Sequence, residues 1–295
     1  MEEKYTEITP NNRLLNFNFR ELFAYKDLIA MYIKRDIVTF YKQTILGPLW
    51  FVIQPILTTV MFMFVFGNLA GISTDGIPGP LFYFAGIILW NYFADCLNRT
   101  SHTFTANQGV FGKVYFPRLV VPISVTLSNL VKFFIQFVIF LIIYLVYVFL
   151  KGAEVAPNWY AFLFPLLVVM SAGLALGFGI IFSSMTTKYR DLTFLLQFGV
   201  QLWMYATPVI YPLSTMPISM RWIFFLNPMT AIIESFKRGA IGNSVMFEGI
   251  PLIDGGLSVT ESWLWLAYSF VFMLVVLLLG IIIFNKVEKD FMDTV

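Results

Sequence analysis

Charge is scarce in this chain. Only 12% of its 295 residues are Asp, Glu, Lys or Arg, against about 25% in a soluble domain. That scarcity excludes an ordinary soluble enzyme, which needs a polar shell. Histidine and cysteine are scarcer still. The single Cys96 and single His102 exclude a disulfide framework and a zinc, haem or thiolate cluster. There is no GxxxxGK[ST] loop; Gly109-Val110-Phe111-Gly112-Lys113 has the wrong spacing, and Val114 follows the lysine. The chain is therefore not expected to hydrolyse ATP by itself. Acids are nearly missing from the apolar stretches: Asp95 is the one clearly in or near such a run before residue 212, which argues against an ion-coupled pump.

What is abundant is apolar and aromatic. Hydrophobic residues make up 59% of the chain and aromatics 18%, with 33 Phe, 14 Tyr and 7 Trp. Crossing about 30 Å of hydrocarbon takes roughly 20 apolar residues in a helix. Runs near that length fall at about 49–69, 81–98, 119–150, 159–185, 193–211 and 263–284. They are far longer than the roughly 10-residue alternating strands of a barrel. The expectation is an all-α polytopic membrane protein with six transmembrane helices in one domain, residues 46–290. Pro55 interrupts the first run, and the third is longer than one crossing needs.

The remaining segments are distinct. Residues 1–20 carry no readable motif and form an N-terminal extension. Residues 21–45 place Leu22, Phe23, Leu28, Ile29, Tyr32, Ile33, Ile37, Phe40 and Tyr41 at helical spacing, with Lys26, Asp27, Lys34, Arg35 and Asp36 between them. This reads as an amphipathic interface helix. Residues 212–240 are broken by Pro212, Pro217 and Asn227-Pro228, too broken for an ordinary crossing and too apolar for a plain loop. Short re-entrant helices before the last span fit that pattern. Basic residues crowd the N-terminal segment, the 99–118 and 186–192 connections and the tail, leaving Lys151, Arg221, Lys237 and Arg238 on the other side. The positive-inside rule then puts both termini in the cytoplasm.

Most of the Trp residues fall near span ends and read as interface anchors. Aromatic rings also offer sugar C–H faces an orientation-tolerant contact. Candidates for a substrate path are Tyr83, Tyr92, Phe93, Tyr144, Tyr147 and Tyr205. Lys132, inside the third run, either snorkels or meets a phosphate or sugar hydroxyl. Arg99, Asp95 and His102 are the only polar cluster that an integral-membrane transferase could use.

The order of several short motifs is more specific than any one of them. Leu46-Gly47-Pro48-Leu49-Trp50-Phe51-Val52-Ile53-Gln54-Pro55 opens the first run. Asn107-Gln108-Gly109-Val110-Phe111-Gly112-Lys113-Val114-Tyr115-Phe116-Pro117-Arg118 lies between the second and third. Lys188-Tyr189-Arg190-Asp191-Leu192, Thr207-Pro208-Val209-Ile210-Tyr211-Pro212, Asn227-Pro228-Met229-Thr230 and Glu234-Ser235-Phe236-Lys237-Arg238 follow. Over about residues 20–290 the chain resembles the membrane (permease) subunit of type 2 ATP-binding-cassette exporters, in the branch that exports polysaccharide, O-antigen or teichoic acid. The resemblance implies a homodimer joined to two nucleotide-binding ATPase subunits in a bacterial inner membrane, exporting a lipid-linked glycan. ATP and Mg would be used by the partner; this chain would hold no cofactor and bind no nucleic acid. Residues 107–116 resemble the cytoplasmic coupling helix that docks on the ATPase, which makes Asn107, Gln108, Val110, Phe111, Lys113 and Tyr115 its candidates. Membrane lipids are the other expected partner, and Lys113 and Arg118 suit either lipid headgroups or the ATPase. An exporter of small hydrophobic compounds on the same scaffold is the alternative cargo reading.

Overall fold

The computed structural model describes residues 19–42, 46–111, 113–114, 116–153, 155–241 and 263–292. The extension 1–18, Tyr115 and the connection 242–262 lie outside them. Within the described residues the secondary structure is helical, with no strand.

Helices α1 (Phe19–Ala24) and α2 (Lys26–Lys42) come first. α3 (Trp50–Phe62) starts from a short 3-10 turn and runs on through a π-helical stretch, Met63–Leu69. α4 is Gly79–Thr100, α5 Thr103–Phe111 and α6 Val120–Lys151. α7 (Phe164–Thr186) follows a 3-10 turn at Trp159–Leu163. Then come α8 (Leu192–Tyr205), α9 (Ile218–Phe225), α10 (Pro228–Ile241) and α11 (Trp263–Met292).

Among the described residues, five segments are long and apolar enough to cross a membrane: Gly47–Leu69, Gly79–Thr100, Val120–Lys151, Trp159–Thr186 and Trp263–Val287. The run expected to be the fifth of six spans, 193–211, is helical only as far as Tyr205. At 1.5 Å per residue, a helix of 14 residues reaches only about 21 Å. Pro208 has no N–H to continue it, and Thr207 Oγ1 bonds back to the Trp203 carbonyl at 2.8 Å. The apolar residues beyond it, Val209 and Ile210, are buried in the core rather than set in a helix.

α4 is the central helix. Its residues from Leu81 to Trp90 are buried without a break, packed against α6, α7 and α10. α3 sits at the periphery with a largely exposed apolar face. α7 and α11 pack at very close range through glycine. A Cβ on Gly177 would lie 2.9 Å from the Leu277 nitrogen, and one on Gly280 would lie 2.8 Å from the Gly177 carbonyl oxygen. α6 ends at Gly152, whose φ of +63° closes the helix in the left-handed region.

α10 is inserted into this bundle. Every residue from Pro228 to Ile241 is buried except Arg238, and the helix touches α4, α7, α9 and α11. A second, smaller core gathers Tyr32, Phe104, Phe111, Phe116, Val120, Ile180 and Phe284, with Tyr25 between α1 and α2 and Leu28 and Ile29 of α2 packed on it. It joins α2 and α5 to the ends of the long helices.

Candidate functional site

The segment expected to couple motion, 107–116, forms the second half of α5 and the turn after it. α5 is held by one face. Phe104 is buried and stacks on Phe284 at 4.5 Å between ring centroids. Its backbone N–H donates to Ser183 Oγ at 3.2 Å, and Thr186 Oγ1 donates to the Ser101 carbonyl at 3.0 Å. Phe111 is buried against Phe104 and Phe116. Asn107 kinks the helix at φ −115° and ψ 15°, and its amide donates to the Thr103 carbonyl at 2.9 Å. The opposite face is open: Gln108, Gly109, Val110, Lys113 and Val114 are exposed. Through Phe104 the short helix is tied to both α7 and α11, while its outer face stays open. Arg118 is buried, with its guanidinium 5.2 Å from the Phe111 ring.

Beside α5 lies a polar junction that the sequence did not reveal. Asp36 is buried on α2, on the bundle-facing stripe with Tyr25, Ile29 and Tyr32 rather than among the solvent-facing charges. Its Oδ2 accepts from Arg99 Nη2 of α4 at 2.7 Å, and Ser128 Oγ of α6 lies 3.2 Å away, its single hydroxyl proton contested by the nearer Ser124 carbonyl. Its Oδ1 accepts from Arg35 at 2.8 and 3.1 Å. Arg99 Nη1 donates to Asn129 Oδ1 at 3.1 Å. The available signal was spacing: residues 25, 29, 32 and 36 share one helical face.

Lys132 meets Asp95 at 2.6 Å, one helical turn further along α4 and α6, with its ammonium 5.6 Å from the Phe51 ring. Asp95 and Arg99, two members of the cluster considered for a transferase, are thus committed to separate ion pairs.

The aromatic path candidates fall in different environments. Tyr83, Tyr92 and Phe93 are enclosed in the core of α4. Tyr83 packs edge-on against Phe62 and Phe82, Tyr92 tilts on Phe133, and Phe93 lies edge-to-face with Trp203. Tyr144 is half-buried and its hydroxyl donates to the Val155 carbonyl at 2.9 Å. Tyr147 is half-buried beneath Lys151, whose ammonium is 4.4 Å from the ring centroid. Tyr205 is exposed at the end of α8.

At the far end of α4, α10 is locked to the turn after α8. Lys237 is fully buried; its ammonium donates to the Pro208 carbonyl, lies 4.0 Å from the Phe82 ring and faces Glu234 at 3.7 Å. Asn227 caps α10 through its Oδ1, which accepts from the Met229 N–H at 3.1 Å and from Trp203 Nε1 at 3.0 Å. Its amide donates to Thr207 Oγ1 at 2.8 Å.

The long apolar helices packed around a buried central helix mark a multi-pass membrane protein. The chain belongs to the ABC-2 type transporter family, whose pattern matches residues 27–239. The family makes it a transport subunit and not an enzyme. It is 27% identical over 280 residues to an O-antigen export system permease protein RfbA of Klebsiella pneumoniae, covering 95% of this chain and 98% of that protein. The RfbA of Myxococcus xanthus is 28% identical over 221 residues, 74% of this chain and 82% of its own. The polysialic acid transport protein KpsM of Escherichia coli is 24% identical over 264 residues, 86% of this chain and 91% of its own.

Proposed function

We propose that this chain is the channel-forming subunit of an ATP-driven exporter that moves a lipid-linked polysaccharide across the bacterial inner membrane. The observation that carries the reading is the near full-length similarity to O-antigen export permeases, joined to the anchored helix α5. Two copies of the chain pair with two copies of a separate ATPase, which binds ATP and Mg. Gln108, Val110 and Lys113 present the docking face, while Asn107 and Phe111 hold it in shape. Tyr115 completes the segment.

In this reading the chain crosses six times, with both termini in the cytoplasm. α8 makes the extra crossing together with the irregular residues 206–212. Irregular backbone at membrane depth is tolerated where protein or a water-filled path covers it, and here α10 covers it. α9 and α10 are re-entrant, and α2 lies along the cytoplasmic surface. Tyr205, Tyr144, Tyr147 and Lys132 keep partial exposure and stand nearest the cargo. Tyr83, Tyr92 and Phe93 support the path wall from behind.

The test is co-purification. Tagged chain extracted in mild detergent should carry a nucleotide-binding subunit in a two-to-two ratio, and the complex should hydrolyse ATP. Recovery of the chain alone, with transport driven by a proton gradient, would sink the proposal.

A further inference from the structure

The junction at Asp36 does more than bury a charge. It gathers three elements around one carboxylate: Arg35 of α2 and Arg99 of α4 donate to it, Ser128 of α6 lies 3.2 Å away, and Arg99 carries the link on to α6 through Asn129. We propose that Asp36 and Arg99 are positioning residues that make α2 move as one body with α4 and α6. A displacement imposed near α2 then reaches the path-forming helices instead of being lost as sliding. The inference rests on the export reading above and deepens it.

Three observations support this latch. First, the other attachments of α2 seen among the described residues are apolar. Tyr32 tilts on Phe116 with ring centroids 6.3 Å apart, and Tyr25, Leu28 and Ile29 pack around it. Apolar contacts are non-directional and tolerate sliding; a charge-assisted bond at 2.7 Å does not. Secondly, Asp36 is only 6% exposed, so each broken bond strands a buried charge rather than returning it to water. Thirdly, the α4–α6 seam carries a second charged link, Asp95 to Lys132 at 2.6 Å. Asp95 precedes Arg99 by four residues and Lys132 follows Ser128 by four, so both links lie along one line. The two long helices are cross-linked twice, and only the first link extends to α2. Arg99 also holds Asn129 at 3.1 Å, which fixes the guanidinium in the plane that Asp36 uses.

The test uses the complete complex with its ATPase, reconstituted in liposomes. Asp36→Asn should leave ATP hydrolysis near the wild-type rate but lower glycan export per ATP by about tenfold, the weight of one charge-assisted hydrogen bond. Asp36→Asn combined with Arg99→Gln should be no worse than Asp36→Asn alone. Unchanged export per ATP in an intact Asp36→Asn complex, or losses that multiply in the double variant, would overturn the latch. Spin labels supply a measurement that does not depend on the cargo. Labels at Met31 on α2 and Val138 on α6, both exposed, are placed on a Cys96→Ser background. With the labelled chain diluted in excess unlabelled chain, so that a dimer carries one labelled copy, the wild type should give one narrow distance that persists with and without ATP, and Asp36→Asn should broaden it. A wild-type distance that changes through the ATP cycle would refute the latch even if every variant misfolded. Failure of glycan export with the narrow distance preserved would instead count against the cargo reading.

Discussion

Replacing Lys237 with Met should destabilise the protein strongly, for a reason visible in its neighbours. The ammonium is fully buried and has three partners: the Pro208 carbonyl, the Phe82 ring and Glu234. Methionine keeps most of the volume, so little of the loss comes from a cavity. What is lost is the partner of a buried carboxylate and the donor to a buried carbonyl. Removing one member of a buried pair costs about 3–5 kcal/mol. Removing both charges, with Glu234→Gln added, should recover a large share, because no lone charge remains. The single variant also acquires a pH dependence. An unpaired buried carboxylate holds its proton to higher pH than it does in the unfolded chain. Stability of Lys237→Met therefore falls as pH rises above the unfolded Glu value of about 4.3. The assay is SDS-induced unfolding of purified protein in mixed micelles, followed by Trp fluorescence at pH 5.5 and 8. A single variant within about 0.5 kcal/mol of wild type, or a double variant as unstable as the single, would refute the reasoning.

Other substitutions test separate parts of the structure. Asn227→Ala removes the cap of α10 and orphans the Trp203 N–H, together about 2–3 kcal/mol in the same unfolding assay; Asn227→Asp, which keeps Oδ1, should recover most of it. Gly177→Ala puts a Cβ 2.9 Å from the Leu277 backbone nitrogen and should cost about 1–3 kcal/mol. Gly199→Ala, with nothing within 4 Å of the new Cβ, should be neutral or stabilising by up to about 1 kcal/mol. Lys113→Glu or Val110→Pro should leave the amount of inserted protein unchanged while lowering transport-coupled ATP turnover about fivefold or more, the scale of losing one interface contact of about 1 kcal/mol. Normal export by both would show that 107–116 is not the coupling segment.

Much of the architecture was legible because hydrocarbon thickness sets a length that a run of apolar residues must meet. Four long segments and the final helix announce themselves that way. The run at 193–211 was legible as apolar but not as a helix that stops at Tyr205, because apolarity has two causes. Leu192–Tyr205 is a helix, but Val209 and Ile210 are apolar because they are buried beside α10. The region of α10 was legible as something unusual, since Pro212, Pro217 and Asn227-Pro228 break an apolar stretch; that Glu234 and Lys237 face each other in the core is a tertiary fact. Asp36 was misassigned for a related reason. It stands beside Lys34 and Arg35 in the chain, where it looks like one more solvated charge, and only its partners 63 and 92 residues away give it a buried role. Tyr83 and Tyr92 were singled out as aromatic rings suited to sugar, but the enclosure of α4 by α6, α7 and α10 decides their surroundings, and no local pattern encodes that.

The most direct test of the account is ATP-dependent translocation of a labelled lipid-linked glycan in liposomes that contain this chain with its ATPase, the ATPase alone or the chain alone. The account predicts transfer only when both proteins and ATP are present. Glycan transfer by the chain alone, or extrusion of small hydrophobic compounds with no transfer of glycan, would contradict it.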